Sequence, residues 1–237
     1  MKPIALPSGA APKRKLKGWL PVLWMLLIPF LNLFYVLLNR PSAQVHHLAT
    51  AFDKALPVIP AFVLPYVLWY PFIGATLIGM LGKNARQYYR TLGALCLGLV
   101  ACYLVYYGFQ TTVERPAVNG TGLFPSLMRW VYANDEPFNC FPSIHVLTSY
   151  LMFRGAVAFR APLRIGIRAM AVLIMMSTLF MKQHVVADVG AGILTAELMY
   201  RLVGRIQLRI AANRGDSAPS AVSSSSSVRG KRKRQAG

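Results

Sequence analysis

The stretch WLPVLWMLLIPFLNLFYVLL, residues 19–38, decides the class of fold. It holds no charged residue. An α-helix rises about 1.5 Å per residue, so twenty apolar residues match the roughly 30 Å hydrocarbon core of a bilayer. Lys13, Arg14, Lys15 and Lys17 stand just before it. A basic cluster before an apolar run also opens a cleaved signal peptide. No small-residue cleavage pattern follows, and the run is long, so it reads as a retained first helix. Five more runs suit membrane spans: 56–81, 91–109, 141–159, 165–181 and 185–203. The second contains Pro60, Pro65 and Pro71, which a spanning helix tolerates when neighbours satisfy the freed carbonyls. The expected fold is all-α: a polytopic membrane protein with six transmembrane helices in one bundle. It divides into a basic cytoplasmic segment (1–18), a membrane domain (19–208) and a tail (209–237) expected to be disordered.

Composition points the same way. Of 237 residues, 55% are hydrophobic and 14% charged. Soluble chains carry about 25% charged residues, so the composition excludes disorder and disfavours an ordinary soluble domain. The net charge of +19 suits nucleic acid or an anionic membrane surface, and the apolar runs decide for the membrane. With the N-terminus in the cytoplasm, 21 of the 26 Lys and Arg fall on the inner side. Only Arg40, Lys54, Arg115, Arg129 and Lys182 fall outside. That asymmetry supports six spans with both termini inside. The expected location is a plasma membrane of the bacterial inner-membrane kind. The serine run 223–227 and Lys231-Arg232-Lys233-Arg234 read as a cytoplasmic tail drawn to anionic lipid heads, not as a nucleic-acid site. Cys96 and Cys102 read as apolar packing residues, and three cysteines make no disulfide framework.

Ionisable residues at membrane depth are costly and mark function. Three stand near outer span ends: His145, His184 and Asp188. His184 and Asp188 are spaced i, i+4 and share a helix face. A carboxylate one turn from a histidine accepts its Nδ1–H and leaves Nε2 free. His145 follows Pro142 and Ser143, a helix start whose free N–H groups suit an anion. Arg115-Pro116 offers a placed guanidinium, and Lys182 stands two residues before His184. Two histidines, a carboxylate, two cations and a helix N-terminus make a set fit to move a phosphoryl group.

Phe141-Pro142-Ser143-Ile144-His145 and Lys182-Gln183-His184-Val185-Val186-Ala187-Asp188 resemble the second and third signature motifs of the type 2 phosphatidic acid phosphatase (PAP2) superfamily. Arg115-Pro116 resembles the end of its first motif. Residues 139–146, with Lys182-Gln183-His184, are most similar to the inositolphosphotransferase branch, the inositol phosphorylceramide synthase type. The family's first motif usually carries a lysine where this chain has Gly108. Its third usually carries an arginine where this chain has Thr178, after Ser177. Its second often has a glycine in place of Ile144. These departures favour the transferase-like branch, with Lys182 standing in for a missing cation.

The resemblance implies an enzyme: a phosphatase or phosphotransferase acting on a lipid phosphate, lipid pyrophosphate or phospholipid head group at the extracytoplasmic face. His184 would form a phosphohistidine. Asp188 would orient it, and His145 would protonate the departing oxygen. Arg115, Ser143 and Lys182 would hold the phosphate oxygens, without cofactor or metal. A competing reading makes His145, His184 and Asp188 metal ligands, against which the neighbouring cations speak. Another functional class is a lipid transporter or scramblase with a polar intramembrane cavity. In the blander readings, Asp188 caps a helix, Lys182 snorkels and Arg115 pairs with Glu114. Asp135 and Glu136 read as solvated loop charges, and His46-His47 as interfacial residues. Glu197 has no role assigned, and Ala187 and Ala191 hint at close helix packing.

Overall fold

In the computed structural model the described residues are 20–42 and 44–213. The basic segment 1–18, Trp19 and the tail beyond Asn213 lie outside them. Among the described residues the chain is mostly helical. The helices are α1 (Leu20–Leu38), α2 (Ala51–Ala55), α3 (Pro60–Lys83), α4 (Ala85–Gly108), α5 (Leu123–Asn134), α6 (Ile144–Gly155), α7 (Ala161–Phe180) and α8 (Val186–Asn213). Two short strands, β1 (His46–His47) and β2 (Thr111–Thr112), pair in parallel and tie the loop after α1 to the loop after α4.

Four helices are long and apolar enough to cross a membrane: α1, α3, α4 and α7. The two remaining runs differ from expectation for separate reasons. The run 141–159 contains a helix of only 12 residues, α6, flanked by loop and by a 3-10 turn at Ala156–Ala158. Twelve residues reach about 18 Å, short of a bilayer core of about 30 Å. Helix α8 has 28 residues but carries Asp188, Glu197, Arg201, Arg205 and Arg209, which lower its hydropathy. It continues to Asn213, so residues 209–213 are helical where the tail was expected. No Gly or Pro between Arg205 and Asn213 stops it.

Helix α6 is the hub. It packs against α3, α4, α7 and α8, and nine of its residues are buried. A helix buried nearly all round belongs to a core. Two glycines set its distance from neighbours. A Cβ at Gly98 of α4 would come within 2.9 Å of Leu147. A Cβ at Gly192 of α8 would come within 2.8 Å of the Ser143 carbonyl oxygen. The close packing of α8 on α6 therefore rests on Gly192, while Ala187 is exposed and Ala191 half-buried.

Helix α5 was not expected within 110–140. Leu127, Met128 and Val131 share one side of it; Met128 and Val131 are buried against Val63, Tyr66 and Met181. That spacing is helical, but Gly120, Gly122 and Pro125 disguise it as loop. Pro125 is harmless because it lies in the first turn, where no intrahelical N–H is needed.

Candidate functional site

The site forms where the starts of α6 and α8 meet. Ser143 caps α6, its Oγ accepting from the Val146 N–H at 3.3 Å. Its own N–H donates to the Asp188 carbonyl at 3.2 Å, joining the two helix starts. Tyr106 of α4 braces the joint by donating its hydroxyl to the Pro142 carbonyl at 2.6 Å. Ser143 is fully buried and its hydroxyl proton has no acceptor among the described residues.

Asp188 does two jobs. One oxygen, Oδ2, accepts the Val185 N–H at 2.9 Å and so caps α8. The same oxygen lies 3.3 Å from His184 Nδ1. A carboxylate only accepts, so Nδ1 carries the proton and Nε2 is left with its lone pair. The other oxygen, Oδ1, is buried without a partner among the described residues. The backbone before His184 is fixed by Thr178, whose carbonyl accepts from the N–H groups of Gln183 (2.9 Å) and His184 (3.1 Å). Thr178 thus shapes the turn with its backbone at the place where the resembled family has a cation.

The His145 and His184 rings stand 5.7 Å apart between centroids. His145 packs against the rings of Tyr66 (4.7 Å) and Trp69 (4.0 Å). Its Nδ1 has no partner among the described residues. Trp69 is itself fixed, donating to Thr148 Oγ1 at 2.7 Å.

Arg115 does not pair with Glu114, which is exposed. Its guanidinium lies over the Tyr132 ring at 4.8 Å. It donates to the carbonyls of Asp135 (2.5 Å) and Tyr132 (3.3 Å) and to Gln183 Oε1. Helix C-termini leave carbonyls unpaired, and a cation satisfies them. Lys182 has φ +51°, a left-handed position that closes α7 and that glycine takes without cost. A lysine there keeps an ammonium at the turn. Its Nζ donates to the Asp53 carbonyl at 2.5 Å.

Sequence reasoning missed four residues here. Asp53 is buried; it forms a capping box with Thr50 and accepts the Val186 N–H at 2.7 Å. Burial pushes its carboxyl up, but hydrogen bonds from Thr50 and Val186 and the Lys182 ammonium outweigh that and hold it below the usual carboxylate range. Gln183 accepts from the Arg115 guanidinium through Oε1, and its buried Nε2 has no partner among the described residues. Asp135 is no solvated charge: it accepts from Tyr35 (2.9 Å), Asn39 (3.3 Å) and Tyr66 (3.3 Å), joining α1, α3 and α5. Glu136 is exposed, as expected. Cys140 brings its sulfur near His184 and Asp188, the three donor atoms lying within 4.8 Å of one another. Burial, and then the Asp188 carboxylate, push this thiol well above its ordinary value. Sulfur, imidazole and carboxylate together suit zinc, although the thiol must first lose its proton and Arg115 stands close by. The His184–Asp188 spacing was readable in sequence; the contacts that assemble the rest, such as Arg115 with Gln183 and Lys182 with Asp53, join residues 68 and 129 positions apart.

Two clefts flank the histidines. One, of about 360 Å³, is lined by Lys54, Arg115, Lys182 and His184, with the carboxylates Asp53 and Glu114 also on its wall. The other, of about 340 Å³, is lined by Tyr35, Tyr66, Trp69, Tyr70 and Trp130 and reaches His145. A narrow space bordered by both histidines, Arg115, Cys140 and Gln183 lies between them. So His184 faces a cationic cleft and His145 an aromatic one.

No family model matches the chain, and no solved structure matches it. The chain is similar to an uncharacterised protein of Methanocaldococcus jannaschii, 30% identical over 122 residues. The match covers 50% of this chain and 46% of the archaeal protein, so the chain spans about half the length of that curated relative.

Proposed function

We propose that this protein is a PAP2-like membrane enzyme that moves a phosphoryl group from a lipid phosphate, lipid pyrophosphate or phospholipid. One observation carries the reading: His184, held by Asp188 at 3.3 Å with Nε2 free, stands 5.7 Å from His145 between a cationic and an aromatic cleft. In the proposed topology the run 141–159, α6 with its flanking loop and 3-10 turn, and α8 complete six spans, both termini are cytoplasmic and the histidines lie on the extracytoplasmic side of a bacterial-type inner membrane.

The chemistry follows from the positions. The phosphate lies in the cationic cleft near Arg115 and Lys182; Ser143, expected to hold a phosphate oxygen, is fully buried and does not line that cleft. Nε2 of His184 attacks phosphorus as the bond to the lipid oxygen breaks. His145 gives its proton to that oxygen. Water or an alcohol then attacks the phosphohistidine and gives its proton to His145, which restores the site. Asp188 keeps the His184 tautomer throughout. The aromatic cleft beside His145 favours a lipid leaving group, and its size leaves room for an alcohol acceptor, as in a head-group transferase of the inositol phosphorylceramide synthase type.

The test incubates purified protein with lipid phosphates and pyrophosphates and follows both inorganic phosphate and new phospholipid. General acid catalysis is typically worth about 10²–10⁴-fold. A nitrophenyl phosphate, whose leaving group needs no proton, should partly rescue His145→Ala and not His184→Ala. Rescue of His184→Ala with His145→Ala inert on both substrates overturns the assignment. Lipid transport that survives His184→Ala would favour the transporter class. Cysteine labelling at Asn84 and Asn119 tests the topology, and outside labelling at Asn84 in intact cells sinks it.

A further inference from the structure

At the end of the bundle away from the histidines, a cleft of about 320 Å³ lies between the start of α4 and the later part of α8. Arg86, Arg90, Arg201 and Arg205 line it, with Asn84 and Gln87 and without a carboxylate. Arg201 pairs with Glu197 at 2.6 Å. Among the described residues the other three arginines make no ion pair. Like charges gathered in one groove repel, so such a groove is stabilised by an anion.

Arg90 is seated rather than loose. Its Nε donates to the Tyr200 carbonyl at 3.1 Å, and its Cζ lies 3.9 Å from the Tyr200 ring centroid. The guanidinium rests against Gly204, where a Cβ would come within 2.6 Å of Cζ. Any side chain there would push the guanidinium away. Its terminal nitrogens have no acceptor among the described residues. The frame around it is tied as well. Gln87 donates to the Tyr200 hydroxyl at 2.6 Å, and Gln207 donates to the Arg86 carbonyl at 3.2 Å. Asn84 caps α4 by accepting the Gln87 N–H at 3.0 Å.

Position completes the argument. Helix α4 is long and apolar enough to cross a membrane, and Arg86 and Arg90 lie in its first two turns. That is the head-group level of a bilayer. Basic pockets between helices at that level suit lipid phosphates, and guanidinium forks match phosphate oxygens. Exposed Leu208 at the cleft's edge offers apolar contact to a lipid chain. We propose that this cleft binds the phosphate of an anionic phospholipid head group, in the leaflet opposite the histidines. The proposal stands independently of phosphoryl transfer.

The test titrates phosphatidylglycerol, with phosphatidylcholine as control, into delipidated full-length protein and counts bound lipid by native mass spectrometry. Arg86 and Arg205 are exposed, so the double variant Arg86→Gln/Arg205→Gln leaves the core intact. Its affinity for phosphatidylglycerol should fall about tenfold or more. Arg160→Gln/Arg164→Gln removes the same charge outside the cleft and should change affinity less than about twofold. Equal weakening by both double variants would reduce the effect to diffuse charge and overturn the proposal. So would equal binding of phosphatidylcholine by the unaltered protein. Displacement of the lipid by equimolar inorganic phosphate would assign the cleft to the free ion instead.

Discussion

The two ends of the bundle are built from opposite charge economies. The histidine end carries Arg40, Lys54, Arg115, Arg129 and Lys182, but also Asp53, Glu114, Asp135, Glu136 and Asp188. The arginine end carries ten Lys and Arg among the described residues and one acid, Glu197. At the histidine end most cations are tied to backbone carbonyls: Arg115 to α5, Lys182 to Asp53, Arg129 to Val118 and Gly120. Asp53 and Asp188 cap helices and Asp135 collects hydroxyls, while Glu114 and Glu136 are exposed. At the arginine end Arg86, Arg90 and Arg205 line a cleft and make no ion pair among the described residues. The same residue types thus serve two purposes in one chain. Fixed donors at one end hold a small site in shape; a surplus of positive charge at the other awaits a ligand from outside.

Changes that break this contrast should differ in size. His184→Ala should abolish phosphoryl transfer, whereas Arg160→Gln, which removes a charge at the opposite end, should leave turnover unchanged in the same assay. Asp188→Asn should lower the rate strongly while leaving the imidazole in place, since the tautomer is lost. Gly192→Ala drives a methyl into the Ser143 carbonyl and should cost about 1–3 kcal/mol of stability. Gly108→Ala, with nothing within 4 Å, should stay within about 0.5 kcal/mol. Denaturant unfolding in detergent checks the pair, and equal effects would show that the α6–α8 approach is not tight. Asp135→Ala leaves the Tyr35 and Tyr66 hydroxyls without their acceptor and should cost about 1–3 kcal/mol by the same measurement.

Smaller effects sharpen the contrast. Glu197 accepts from Arg154 at 2.8 Å, Arg201 at 2.6 Å and Tyr150 at 3.2 Å. Both arginines are partly exposed, so Glu197→Gln should cost about 1 kcal/mol or less. At the other end Asp53 gives a pH dependence of definite sign. Its folded carboxyl lies below its unfolded value of about 3.9. The stability it contributes is therefore fully present above that value and is lost as pH falls through the folded one. Asp53→Asn should flatten the acid limb of the stability curve. An unchanged limb would remove Asp53 from the frame of the histidine site.

Features that are local or cumulative are legible in the order of residues alone. Apolar runs of helical length mark α1, α3, α4 and α7, because the bilayer sets length and hydropathy residue by residue. The i, i+4 spacing put His184 and Asp188 on one face, because helix geometry is the same everywhere. The lopsided placement of Lys and Arg separated the two ends. The tertiary structure alone decided the rest. It shortened the run 141–159 to the buried α6 and formed α5 inside an expected loop. It turned Asp135 from a solvated charge into a junction of three helices. It brought Cys140 to His184, Gln183 to Arg115, Lys182 to Asp53, and Arg90 to Gly204. Each of these joins residues from different elements, and which residues meet depends on how closely those elements pack. No spacing within one segment encodes that distance, so only the packed bundle reveals it.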